Sequence, residues 1–83
     1  MSPWPSEFEA ILREFLPGLA EQEDIIPDTV LGLYGFDSLA LVTLIVELET
    51  EFDCPFPEEA MTIETFYTAG TLWEAFSPVI QAR

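Results

Sequence analysis

The chain of 83 residues contains no histidine and no lysine, and its only positive side chains are Arg13 and Arg83. A serine hydroxyl becomes a nucleophile when a neighbouring base, usually His or Lys, takes its proton. With neither residue present, autonomous serine catalysis is excluded. Sixteen acidic residues face the two arginines, a formal net charge of −14. Phosphate backbones and anionic bilayers are bound by clustered Lys and Arg, so neither nucleic acid nor membrane is expected as a partner. Cysteine occurs once, at Cys54. That rules out an intrachain disulfide and a thiolate zinc cluster, and it fits a reducing cytoplasm. Next to Pro55 and without a histidine, Cys54 reads as a small packed hydrophobe rather than a nucleophile. No Asp-x-Asp-x-Asp-Gly loop offers a calcium site. A hydrolase or a metal-binding protein is set aside on these grounds.

Long apolar runs are also missing. The longest, Leu39 to Val46, is too short to cross a bilayer and is followed by Glu47. The amino terminus, MSPWPSEFEA, lacks the basic start and apolar stretch of a signal peptide. A soluble cytoplasmic protein is expected. Apolar residues at 49% and aromatics at 13% are ample for one compact core and far from the composition of a disordered acidic tail. Residues 1–83 therefore read as one small domain, with residues 1–5 a short arm. The acidity either keeps this domain in solution or draws in a basic partner protein through a field that salt weakens.

The hydrophobic period is helical throughout, with no strand alternation longer than a few residues and no internal repeat. Ser6-Glu7-Phe8-Glu9 matches a capping box, and Phe8, Ile11, Leu12 and Phe15 follow on one helix face. Pro17 and Gly18 stop that helix. A long connection from Leu19 to Asp37 carries Ile25, Ile26, Val30, Leu31, Leu33 and Tyr34, so it is expected to lie pinned to the core with a short helical turn in it. A second helix should start with Asp37 as its N-cap and run to about Phe52, ended by the prolines of DCPFP. EEAMTIETFYTAG suggests a short third helix with Ile63, Phe66 and Tyr67 inward. Thr71-Leu72-Trp73-Glu74 is a second capping box opening a fourth helix, which Pro78 should kink or thin near its end. The expected fold is all-α: a small four-helix bundle of three longer helices and a short third, with a long connection between the first two.

At roughly 100° per residue the second helix divides into two apolar zones. Leu41, Leu44, Ile45, Leu48 and Phe52 share one side and are assigned to the core. Leu39, Val42 and Val46 lie on the other flank of Ser38, rimmed by acids including Glu47 and Glu49. Unpaired buried carboxylates are costly, so this second stripe is expected to face a partner rather than the interior. Packing of Val42 or Val46 under the long connection is the plain alternative.

Ser38 then becomes a candidate substrate of another protein's active site rather than a nucleophile in its own right. A phosphate joined to a first-turn serine would sit where helix N–H groups and the macrodipole favour negative charge. LYGFDSLALVTLIVELETEFDCPFP (Leu33 to Pro57) resembles the phosphopantetheine-attachment region of acyl and peptidyl carrier proteins, with a Gly-x-Asp-Ser-Leu motif at the start of the second helix. The capped first helix, long connection, short third segment and TAGTLWEAF (Thr68 to Phe76) extend the resemblance over nearly the whole chain.

The resemblance implies 4′-phosphopantetheine attached to Ser38, with Asp37 and Leu39 as flanking motif positions and Val42, Val46, Glu47 and Glu49 facing partners. It implies a non-catalytic monomer that holds an acyl or aminoacyl group as a thioester. The partners implied are a phosphopantetheinyl transferase and adenylation, acyltransferase, condensation or ketosynthase-type enzymes with basic docking surfaces. Ala40 and Thr43 stand where many fatty-acid carriers have acids, and Phe36 where they often have a small residue. These departures lean towards a nonribosomal peptide or polyketide pathway. A chain from Met1 to just past the fourth helix is expected to be free-standing. A D-alanyl or fatty-acid carrier is the alternative within the family; outside it stands an acidic interaction module whose serine is never modified.

Overall fold

The computed structural model describes residues 3–81, so residues 1 and 2 of the expected arm lie outside the described residues. Three α-helices, α1 (Ser6–Glu14), α2 (Ser38–Phe52) and α3 (Ala69–Gln81), alternate with two short 3₁₀ turns, Leu31–Tyr34 and Glu58–Ala60. The all-α expectation holds, and α3 is the fourth of the expected helices. In α1, Phe8, Ile11 and Leu12 are buried, with acids in the first turn and Arg13 in the last, as the helix dipole favours. Leu44 and Leu48 of α2 meet them, and Leu72 and Phe76 of α3 close the core.

Three local expectations are corrected. No side chain caps α1. Trp4 is buried with its ring 5.6 Å from Phe8, and its indole N–H donates to Glu9 Oε1 at 3.0 Å. The Ser6 box is thus not made, and the arm is fastened at Trp4. At the other end, the box sits one turn earlier than Thr71-to-Glu74. Thr71 N donates to Thr68 Oγ1 and Thr68 N to Thr71 Oγ1, both at 3.1 Å. The helix opened by this pair runs on past Pro78 to Gln81.

The third correction lies in the short helix expected over residues 58–70: a 3₁₀ turn and a run of turns fill it up to Thr68, and α3 begins at Ala69. Phe66 is buried there, but Ile63 and Tyr67 are exposed rather than inward. The backbone is set by ties to its neighbours, not by a helical ladder. Leu31 N donates to the Tyr67 carbonyl (3.1 Å), Ala69 N to Thr29 (3.0 Å) and Gly70 N to Pro27 (2.9 Å). A Cβ at Gly70 would stand 2.8 Å from the Pro27 oxygen, so only glycine allows that approach. These ties fasten the segment after α2 to the long connection before it. Phe66 then stacks between Phe36 (6.2 Å) and Phe56 (5.6 Å), and Phe56 stacks on Phe76 (5.3 Å).

Candidate functional site

The Leu31–Tyr34 turn ends at Gly35, whose φ of 99° is a left-handed conformation that favours glycine. A Cβ there would also stand 2.8 Å from Pro17 Cγ. The reversal delivers Phe36 to its stack on Phe66 and leaves Asp37 extended at φ −128°. Asp37 is the N-cap of α2, its Oδ1 accepting from the Ala40 amide at 2.8 Å. Its carboxylate is therefore tied to the helix end, and Ser38 is exposed as the first helical residue. The hydroxyl stands at the positive end of a 15-residue helix.

Beside Ser38 lies an open apolar groove of about 380 Å³. Val30 and Leu33 from the connection, Leu41 from α2, and Ile63, Phe66 and Tyr67 from the turn run line it. On the serine's other flank Leu39, Val42 and Val46 are 81%, 61% and 54% exposed. Leu44 and Leu48 are buried, and Leu41, Ile45 and Phe52 pack half-buried against the core. The angular division of α2 thus matches the burial on both sides.

The two rim acids differ. Glu47 is half-buried, and its carboxyl is raised above the usual range, chiefly by desolvation, then by the charge of Glu14 and a hydrogen bond with it. Glu49 serves the chain's own turn: its Oε2 accepts from the Phe56 amide at 2.8 Å, and its carbonyl from the Cys54 amide at 3.3 Å. Cys54 is buried as a free thiol. Leu33 and Ile26, expected to pin the connection to the core, are exposed instead, and Leu33 forms surface beside the serine with Ile63 and Tyr67, whose helical spacing says nothing about a segment held by tertiary backbone ties. Among the described residues no helix is long and apolar enough to cross a membrane.

The family model described as "phosphopantetheine attachment site" matches residues 7–72. Among solved structures, the chain resembles the carrier protein in the crystal structure of Bradyrhizobium japonicum glycine:carrier protein ligase with its cognate carrier protein and an analogue of glycyl adenylate. The TM-score is 0.67 and the identity 26%, over 89% of this chain and 99% of that one. It also resembles the chain in the same ligase's complex with glycylated carrier protein, with a TM-score of 0.64 and 27% identity over 86% of this chain and 99% of that one. No curated protein matches the chain.

Proposed function

The chain belongs to the phosphopantetheine-attachment family of carrier proteins, non-catalytic domains bearing a covalent 4′-phosphopantetheine, and from that premise we propose that Ser38 is the attachment residue. One observation carries this reading: the matched residues 7–72 hold a single serine, and it is exposed at the first position of α2. The residues around it suit the group. Asp37 is occupied as a cap, the helix end favours the negative phosphodiester, and the apolar groove lies alongside.

In loading, the Ser38 Oγ forms a bond to the phosphorus that carries pantetheine in coenzyme A. The phosphoanhydride bond breaks, and adenosine 3′,5′-bisphosphate leaves. The hydroxyl proton goes to a base of the transferase, because this chain has no His or Lys to take it. Once attached, the group supplies a terminal thiol that holds cargo as a thioester. The chain's own work is to expose the attachment point, fix the helix end and present Leu39, Val42, Val46 and Glu47 to partners, while Glu49 holds the turn behind them.

The cargo we infer is an amino acid, joined by an adenylating ligase and delivered to a nonribosomal peptide or polyketide pathway. Support comes from the likeness to a carrier crystallised with glycine:carrier protein ligase and from Ala40 and Thr43, which leave this stretch of α2 without acids. The test offers the phosphopantetheinylated protein ATP, a panel of amino acids and adenylating ligases. The expected result is a mass gain of one aminoacyl group that hydroxylamine removes. Acylation by fatty-acyl donors alone would overturn the cargo assignment in favour of a fatty-acid carrier.

A further inference from the structure

We propose that Tyr34 and Glu23 are positioning residues for the loading of Ser38: their side chains form a strut that steadies the turn leading into α2, and with it the serine hydroxyl. The proposal rests on the carrier reading and goes beyond it, to two residues that do not line the groove. The Tyr34 hydroxyl donates to Glu23 Oε2 at 3.3 Å, and Glu23 Oε1 accepts from the Ala20 amide at 3.2 Å. One carboxylate thus joins the Leu31–Tyr34 turn to the connection that follows α1. A backbone joint lies beside it, where the Gly18 amide donates to the Tyr34 carbonyl at 2.8 Å. A Cβ at Gly18 would stand 3.2 Å from the Tyr34 Cα, so the two segments are in close contact. Arg13 secures the other end of the strut, its guanidinium donating to the carbonyls of Ala20, Glu21 and Glu23 at 3.3, 3.4 and 2.9 Å. Through these bonds α1 reaches the turn that precedes Ser38.

The strut is poorly placed to hold the fold together. Glu23 is exposed and Tyr34 half-buried, and a hydrogen bond that water can replace contributes little to global stability. The core is closed without it by Leu31, Leu44, Leu48 and Leu72. Its effect is local. Between Tyr34 and the Asp37 cap stand Gly35, in a left-handed conformation at φ 99°, and Phe36, which stacks on Phe66. The Phe36 ring fixes the inner side of this passage and Tyr34 the side towards the connection. With Tyr34 released, the freedom of Gly35 lets the passage shift and the cap with it. Attack on phosphorus requires the Ser38 Oγ in line with the leaving group, and a misplacement of about 1 Å can cost roughly a hundredfold in rate. Neither Tyr34 nor Glu23 belongs to the α2 stripe of Leu39, Val42 and Val46. Loss of the strut therefore belongs in kcat, through the placement of the hydroxyl, rather than in KM.

The test measures phosphopantetheine transfer from coenzyme A to the full chain by a broad-specificity transferase. Wild type is compared with Tyr34→Phe, Glu23→Ala, their double variant, Glu23→Gln, and Asp24→Ala, which removes the same charge one residue along. Tyr34→Phe and Glu23→Ala should each lower kcat about fivefold, with KM within about twofold of wild type. The double variant should be no slower than either single one, because both remove the same bond. In Glu23→Gln the amide oxygen still accepts from Ala20 and the amide N–H can donate to the Tyr34 oxygen, so most of the rate should return. Asp24→Ala should match wild type. In the unloaded chain, hydrogen exchange at the Gly18 amide should quicken at least about threefold in Tyr34→Phe, while the Leu44 and Leu48 amides keep their wild-type rates. Wild-type kcat in the single variants, additive losses in the double one, or a defect in KM instead of kcat overturns the strut and leaves the carrier reading standing. So does a rate loss matched by equal quickening at Leu44 and Leu48, which would make the role one of stability. Wild type that accepts no phosphopantetheine from any transferase overturns the carrier reading and the strut with it.

Discussion

At the scale of single residues, Asp37 is the best-defined element of the site. Its carboxylate satisfies the Ala40 amide, one of the otherwise unpaired donors of the first turn. Asp37→Ala should cost about 1 kcal/mol in urea denaturation, and Asp37→Ser, which restores an acceptor, much less. Equal losses in the two variants would mean that the cap is not what the side chain contributes. This cap was legible in the sequence because Asp precedes an apolar helical run. The α1 cap was not: Trp4 lies just before the helix, and nothing in local spacing shows that its indole engages Glu9. Thr68 was overlooked in favour of Thr71 for a related reason, since Thr71 also satisfies the Thr65 carbonyl at 2.9 Å and so belongs to the turn run as much as to the helix.

At the scale of elements, the segment 58–70 depends on Phe66, its one large buried side chain. Truncation removes a ring stacked on both Phe36 and Phe56, so Phe66→Ala should destabilise by about 3 kcal/mol or more, whereas Tyr67→Ser should stay within about 0.5 kcal/mol. Similar losses in both variants would contradict the placement of Tyr67 outside the core. The bounds of α2 were readable from cap, apolar run and terminating prolines. Those of the third segment were not, because Ile63, Phe66 and Tyr67 mimic a helical face in a stretch shaped by backbone bonds to residues 27–31. Between α1 and α2, Glu14 and Glu47 give a pH-dependent contact. The folded chain holds the Glu47 proton to higher pH than the unfolded chain, so stability from this group is full below the ordinary carboxyl value and falls as pH rises through the raised one. Glu47→Gln should therefore be more stable than wild type near about pH 7, with the difference narrowing towards about pH 4. An advantage that grows in acid would reverse the assigned sign.

At the scale of the whole molecule, a net charge of −14 is confined to principal extents of 33 × 27 × 20 Å. Only a few Debye lengths span such a body, so self-repulsion should weaken the fold in dilute buffer. Raising salt from about 0.05 to about 0.5 M should raise Tm, each kcal/mol gained reading as roughly 4–8 °C in a domain of this size. A flat or falling Tm would show that the acids are already compensated within the chain. Arg13 is not free to do so at long range, since its guanidinium donates to the carbonyls of Ala20, Glu21 and Glu23 and sits 3.6 Å from Glu9. The absence of His and Lys from the sequence also bears on function, because whatever joins a group to the Ser38 hydroxyl must bring its own base. Intact-mass measurement after incubation with coenzyme A and a phosphopantetheinyl transferase tests this most directly. Wild type should gain one phosphopantetheine and Ser38→Ala none; a wild type that stays unmodified, or a Ser38→Ala chain that gains the same mass, would contradict the assignment.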